Sequence, residues 1–359
     1  MIDNNTAANG IFRIRLEGSS RERGRQHGRL LAKPIAKAID FYQHLFRQHL
    51  EIETAEVRRR SRRYIDPLAA SCPAVLDEME GIAEGAGQNL QDIVMLTVRW
   101  EITFEHLKVG ECSNIFVGSE RSQGGHTLLG MNWDWRPEVM AFRAVIVAHC
   151  DDQPDYLVVT ECGQPGKYGL NEHGIVAIEA GLACRDTRAT GRVPFAALIR
   201  HALASDTLES ARSAIRDNPP EATINFFLAD STGQGWCLEA TPQGLFEKEL
   251  QPQDVYWHTN HCRLTDEVCV FEDSLLRGER WQELVRCPDL ITREQMGNWL
   301  ADTANGSNSI CKIPNPALAG KATWLQTLCS TVLDANAREI WVSDGPAFEQ
   351  PYERFGFDA

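Results

Sequence analysis

Hydrophobic positions divide the chain into two unlike halves. From residue 21 to residue 63 apolar side chains recur at Ile35, Ile39, Tyr42, Leu45 and Phe46, and no proline follows Pro34. That spacing is helical and predicts a continuous helical stretch over 21–63. A second helix is predicted to start at Pro73 and to stop at Gly85 or Gly87; a third, short one covers Leu90 to Phe104. At Cys112 the period changes. Strands are predicted over Ser113–Val117, Thr127–Asn132, Ala144–Ala148, Tyr156–Thr160, Ile175–Ala180, Asn225–Asp230 and Gly235–Glu239. Gly124-Gly125 and the run from Asn171 to Gly174 supply turns. Helices are predicted over Phe195–Asp217 and from about Ser274 to Leu284, and the chain closes in Ser330–Leu333 and Glu339–Ser343, joined at Asp334-Ala335-Asn336 in a hairpin.

Helices first and many strands afterwards predict an α+β architecture of antiparallel sheets covered by helices. No repeat, low-complexity tract or linker divides the 359 residues. The basic run Arg58–Arg63 reads as a solvated helix face.

Composition narrows the function classes. The formal net charge of -14 argues against a nucleic-acid partner. No run of 18 apolar residues predicts a membrane span, and the first residues carry no basic-then-apolar leader. Eleven cysteines without paired spacing fit reduced thiols in a cytoplasmic protein. No oligomeric state is legible.

Cys112 stands out by its neighbours. Gly110 and Glu111 end the helical half, and Cys112 opens the first strand of the second half. Asn132-Trp133-Asp134 ends the next strand, so a hairpin could set Asp134 beside Cys112. His258-Thr259-Asn260-His261 ends a later strand, where an asparagine amide could donate to an oxyanion. Arg99-Trp100-Glu101 lies upstream.

These segments, together with Gly169-Leu170-Asn171, Gly174-Ile175 and Ser309-Ile310-Cys311, resemble the isopenicillin N acyltransferase family of self-processing cysteine hydrolases. Gly24-Arg25-Gln26-His27-Gly28, Glu80 to Gly85 and Thr331-Val332-Leu333-Asp334 with Arg338 extend the resemblance, in order, over nearly the whole chain. The resemblance implies an N-terminal-nucleophile αββα sandwich: two stacked antiparallel sheets with helices outside, in one domain over 1–359. It implies a cut between Glu111 and Cys112 into chains 1–111 and 112–359 that stay associated. Cys112 matches the nucleophile, Asp134 the aspartate near the new N-terminus, and Asn260 the oxyanion-hole asparagine. Arg99, Glu101 and Asn132 match supporting positions. Glu111 and Ser113 depart from the fungal pattern of glycine before the cysteine and threonine after it, and Lys312 stands where relatives often carry arginine.

The expected activity is hydrolysis of a small N-acyl or peptide-like amide without cofactor or metal. An alternative is acyl transfer to an amine, for which no phosphate-cradling glycine loop offers a coenzyme A site. A zinc site from His258, His261, Cys262 and Cys269 has the ligand types, but not a recognised spacing.

Overall fold

The computed structural model describes residues 10–104, 111–182, 184, 192–220, 222–267, 271–287, 289–321 and 323–358. Gly110 and Cys269 lie outside the described residues. After β1 (Phe12–Gly18) come α1 (Ser20–Leu30), α2 (Ala32–Leu50), α3 (Thr54–Arg62), α4 (Ile65–Ser71), α5 (Pro73–Ala86), α6 (Leu90–Thr97) and α7 (Arg99–Phe104). Six strands follow: β2 (Glu111–Val117), β3 (Leu128–Trp135), β4 (Arg143–Cys150), β5 (Tyr156–Glu161), β6 (Tyr168–Asn171) and β7 (Val176–Gly181). Next are α8 (Phe195–Ala202) and α9 (Leu208–Arg216), then β8 (Ile224–Ala229), β9 (Gly235–Thr241), β10 (Gly244–Leu250) and β11 (Val255–His258). The remainder is α10 (Glu272–Leu284), α11 (Arg293–Leu300), β12 (Gln326–Asp334), β13 (Glu339–Ser343) and β14 (Tyr352–Gly356).

The continuous helix expected over 21–63 is three helices. Leu31 leaves the helical region between α1 and α2, and Glu51 ends α2 in the left-handed region at φ 56°. Pro34, three residues past Leu31, marks the first break, whereas neither glycine nor proline marks the second. The helix expected over 195–217 is two helices; Thr207 starts the second by accepting the Ser210 N–H on its side chain.

The strands form an eight-stranded sheet, ordered β1-β4-β5-β6-β7-β8-β9-β10, and a six-stranded sheet, ordered β11-β2-β3-β12-β13-β14. Every pairing is antiparallel except the edge pair β1–β4.

Alternation along β3 reveals the layers. Leu129, Met131, Trp133 and Trp135 belong to the large core between the sheets, which also takes in α2 through α9. Leu128, on the other face, joins a second core with Trp281 of α10 and Met296, Trp299 and Leu300 of α11. The order is therefore helices, sheet, sheet, helices, as the αββα expectation requires.

The glycine-rich segments of α1 and α5 have a packing reason. A Cβ on Gly24 would lie 2.1 Å from the Glu78 carbonyl oxygen, and one on Gly85 would lie 2.2 Å from that of Arg25. These two helices touch backbone to backbone, which only glycine permits. The arginine run stays a solvated face in part: Arg59 and Arg60 pair with Glu56, and Arg58 reaches the buried Asp92 at 2.7 Å. Among the described residues no helix is long and apolar enough to cross a membrane.

Candidate active site

Two strand registers build the site. β2 pairs with β3 so that Glu111 lies opposite Asp134, Cys112 opposite Trp133 and Ser113 opposite Asn132. On its other edge β2 pairs with β11, Asn114 opposite His258. Continuing that register two residues past the end of β11 brings Asn260 opposite Cys112. Asn260 Oδ1 accepts the Cys112 backbone N–H at 3.1 Å, and its Nδ2 donates to the Gly181 carbonyl at 2.6 Å. The amide orientation follows from its partners, since oxygen meets N–H donors and nitrogen meets a carbonyl.

The second donor to Asn260 is Arg277, a fully buried side chain on α10. Its Nη2 donates to Asn260 Oδ1 at 2.7 Å and to Asp273 at 3.3 Å. Its Nη1 donates to the Cys112 carbonyl at 2.7 Å and to Ser113 Oγ at 3.2 Å. One guanidinium thus grips both the nucleophile candidate and the asparagine in a planar fork. Asp273 also accepts from Lys312 Nζ at 3.2 Å. Lys312 meets a carboxylate as a point charge, and burial pushes its pKa down to about 7.

The Cys112 side chain faces the core between the sheets. It lines a cavity of about 20 Å³ with Trp133, Asp134, Lys167, Gly181 and Phe195. That volume has room for water. Burial raises the thiol pKa; Glu179 pushes the same way, and Lys167 opposes it. Lys167 and Glu179 pair across adjacent strands, both buried, and the ammonium sits 5.3 Å from the Trp133 ring centre.

Asp134 lies next to Cys112, its backbone N–H reaching the thiol, but on a diagonal rather than directly opposite. Its register partner is Glu111, one position earlier, because Trp133 takes the place opposite Cys112. Alternate residues of a strand face opposite sides, so the Asp134 and Asn132 side chains emerge toward α10 and α11. Asp134 Oδ1 accepts the Thr327 hydroxyl at 2.6 Å, while Oδ2 is buried with no partner among the described residues. Burial pushes the Asp134 pKa up to about 8; the Arg277 charge and the Thr327 hydroxyl oppose the shift.

The remaining sequence-predicted residues divide by role. Asn132 donates to the Leu300 and Ile310 carbonyls at 2.8 and 2.7 Å, fastening the segment before Lys312 to the outer face of β3. Arg99 donates to Tyr42 at 2.9 Å, pairs with Glu161 and lines the cavity. Glu101 accepts the Phe195 N–H at 3.2 Å, a carboxylate at the start of α8 that places a cavity wall. Asn171 is a turn residue: its Oδ1 accepts the N–H of His173 and Ile175, and Gly174 has φ 78°.

The zinc alternative finds no common centre in the residues described for it. His258 contacts Glu239 at 2.7 Å and the Thr259 carbonyl at 2.6 Å, whereas His261 contacts Thr259 Oγ1 and Ser274 Oγ. Cys237, Glu239 and His258 do converge, but there Glu239 also accepts the Arg263 and Leu264 N–H groups.

Sequence reading missed Arg277, Asp273, Thr327 and the Lys167–Glu179 pair. The acidic residue four positions before Arg277 on a helix was the one local signal for that arginine.

Comparison with known proteins places this geometry in a lineage. A family model described as acyl-coenzyme A:6-aminopenicillanic acid acyl-transferase matches residues 121–346, a span that holds Asp134, Asn260 and Arg277 and begins after Cys112. A relative from Emericella nidulans, the 40 kDa form of acyl-coenzyme A:6-aminopenicillanic-acid-acyltransferase, is 26% identical over 308 residues, covering 84% of this chain and 85% of its own. A penicillin V acylase from Agrobacterium tumefaciens aligns over 69% of this chain and 86% of its own, at 13% identity and TM-score 0.41. A conjugated bile acid hydrolase from Clostridium perfringens aligns over 69% and 92%, at 12% identity and TM-score 0.42. With its family match spanning well over half of the sequence, the chain belongs to the acyl-coenzyme A:6-aminopenicillanic acid acyl-transferase family.

Proposed function

We propose that the chain is a self-processing cysteine amidohydrolase that cuts itself between Glu111 and Cys112 and then opens the amide bond of a small N-acyl or peptide-like compound. The observation that carries this reading is the double grip on Cys112: Asn260 on its backbone nitrogen and Arg277 on its carbonyl, with the thiol at a small cavity.

In the first step the Cys112 thiol adds to the Glu111 carbonyl carbon. The Glu111–Cys112 C–N bond breaks, the thiol proton ends on the Cys112 nitrogen, and a thioester forms. Water then cleaves the thioester, leaving a carboxylate on Glu111 and a thiol on an N-terminal Cys112. Chains 1–111 and 112–359 stay associated because α2 through α7 share the large core with the strands that follow.

The cut creates the base. A cysteine thiol with a pKa of about 8.5 is only partly ionised at neutral pH, and an α-amine titrates at about 7.7–8.0. Both now sit on one residue, so the amine takes the thiol proton as sulfur attacks the substrate carbonyl. Asn260 Oδ1 holds that nitrogen. Its amide nitrogen donates to the Gly181 carbonyl, and the same amide is proposed to serve the oxyanion during turnover, as a donor typically worth about 3–4 kcal/mol. The amine product leaves with the proton, and water releases the acyl group as an acid. Asp134, the register partner of Glu111, lies beside the bond to be cut; when ionised it would favour the charged form of the new α-amine, and the Arg277 charge opposes this. Arg99, Glu101 and Asn132 keep the surrounding walls in place.

Acyl transfer to an amine is the second reading. It is favoured by the description of the family and the name of the Emericella relative. Both readings share the acyl-enzyme, so one experiment serves. The purified protein is incubated with a chromogenic N-acyl amide, with and without a competing amine, and acid-quenched samples are weighed. An acyl adduct on the Cys112 peptide and free acid as main product are expected. Amide product dominating at modest amine concentration favours transfer. Turnover with no adduct on Cys112 overturns both.

A further inference from the structure

Cys184 and Cys262 lie on two different segments that both lead away from the candidate active site. Cys184 follows the end of β7, three positions after Gly181, whose carbonyl accepts the Asn260 amide. Cys262 comes two positions after Asn260 itself. Their sulfurs are 3.5 Å apart. Cys184 is buried, whereas Cys262 is half-buried.

Backbone contacts hold this approach from both sides. Before Cys184, Leu182 donates its N–H to the Thr223 carbonyl at 3.0 Å, and the Thr223 hydroxyl donates to the Leu182 carbonyl at 2.9 Å. Around Cys262, the Asn260 N–H donates to Ser274 Oγ at 2.8 Å, and the Arg263 N–H donates to Glu239 at 2.7 Å. A disulfide needs the sulfurs at about 2.05 Å, so about 1.5 Å must close.

We infer that Cys184 and Cys262 form a redox modification site, closed into a disulfide by small disulfide oxidants such as glutathione disulfide, and that the bond restrains the cavity wall at Gly181. The chemistry balances in two exchanges. The Cys262 thiolate attacks the oxidant and releases one glutathione thiol, leaving a mixed disulfide. The Cys184 thiolate then attacks the Cys262 sulfur and releases the second. Two protein thiols are oxidised and one glutathione disulfide is reduced to two thiols.

The consequence follows from the size of the cavity. The cavity is small, about 20 Å³, and in this proposal one of its walls gives when substrate enters. The Gly181 end of β7 is one wall, and its carbonyl accepts a hydrogen bond from the Asn260 amide. A covalent tie between the same two segments resists that opening. The effect on turnover rests on the amidohydrolase reading; the bond itself does not.

The test treats the purified protein with glutathione disulfide, blocks remaining thiols, and maps peptides by mass before and after dithiothreitol. A Cys184–Cys262 cross-linked peptide is expected, with at least about a fivefold loss of kcat/KM on a bulky N-acyl amide, restored by reductant. Cys184→Ser and Cys262→Ser should each keep basal activity and lose both the cross-link and the reversible inhibition. Glutathionylated Cys262 with no cross-link overturns the proposal. So does a cross-link that leaves turnover unchanged, or inhibition that persists in Cys184→Ser, which would locate the effect at Cys112. If no amide is turned over at all, the functional reading fails, and the peptide map alone still decides whether the pair closes.

Discussion

The side-chain oxygen of Asn260 accepts the backbone N–H of Cys112 at 3.1 Å, across strands whose register continues past β11. This contact lies on the nitrogen that the proposed cut would free. It makes Asn260 both a holder of the amine and a candidate oxyanion donor, and the two roles can be separated. Asn260→Asp keeps an acceptor for Cys112 and Arg277 but replaces the amide donor with a carboxylate oxygen facing Gly181. Turnover of an N-acyl amide should fall about 100- to 1,000-fold, the usual loss for one oxyanion donor. A variant that folds normally by circular dichroism and keeps full kcat would remove the donor role.

Arg277 should be the least replaceable residue of the site. Arg277→Ala leaves the Cys112 carbonyl and Asn260 Oδ1 without their guanidinium and Asp273 without one of its partners. Breaking a buried charged network costs about 3–5 kcal/mol, so the thermal midpoint should drop sharply. Arg277→Lys keeps the charge but loses the fork; about a 10- to 100-fold loss of kcat is expected with KM little changed. Equal activity in Arg277→Lys would show that only charge matters there.

Asp134 gives a pH dependence with a definite sign. Burial raises its pKa in the folded chain to about 8, above the unfolded carboxylate value. The folded state therefore binds an extra proton between those values. That stabilising contribution is fully present below the unfolded pKa and is lost as pH rises through about 8. In a Cys112→Ala background, Asp134→Asn should gain stability relative to its parent as pH rises from 5 toward 8. Calorimetry at several pH values checks this; a constant difference in midpoint would mean that Asp134 ionises as an exposed carboxylate does.

Gly181 is held to glycine by Trp100. A Cβ there would lie 2.4 Å from the indole ring, which also lines the cavity. Gly181→Ala should cost about 1–3 kcal/mol through overpacking, read as a lower thermal midpoint. An unchanged midpoint would mean that the wall yields easily.

What the sequence made legible depended on local signals. The change of period at Cys112 and the alternation through Asn132-Trp133-Asp134 were enough to set two strands side by side. They did not fix the register, and one position separates Asp134 opposite Cys112 from Asp134 opposite Glu111. The approach of Asn260 needed the pairing of β11, four residues long, with a strand well over a hundred positions earlier. Arg277 reads locally as an ordinary charged helix residue, and its role exists only because α10 packs its buried face over β2 and β3. The edge strands β10 and β14 were missed because Gly244–Leu250 and Tyr352–Gly356 are largely solvated and carry little apolar alternation. The helix break at Glu51 lacked glycine or proline, so periodicity ran straight through it, whereas Pro34 was a signal for the break at Leu31 that the periodicity overrode.

The central claim is that Cys112 becomes an N-terminal nucleophile by cutting its own chain. Intact-mass analysis of freshly purified protein, beside Cys112→Ala prepared in the same way, tests it most directly. The account predicts two chains for the unaltered protein, one ending at Glu111 and one beginning at Cys112, and a single inactive chain for Cys112→Ala. An active protein that stays one uncut chain, or a Cys112→Ala protein still cleaved at that bond, would contradict it.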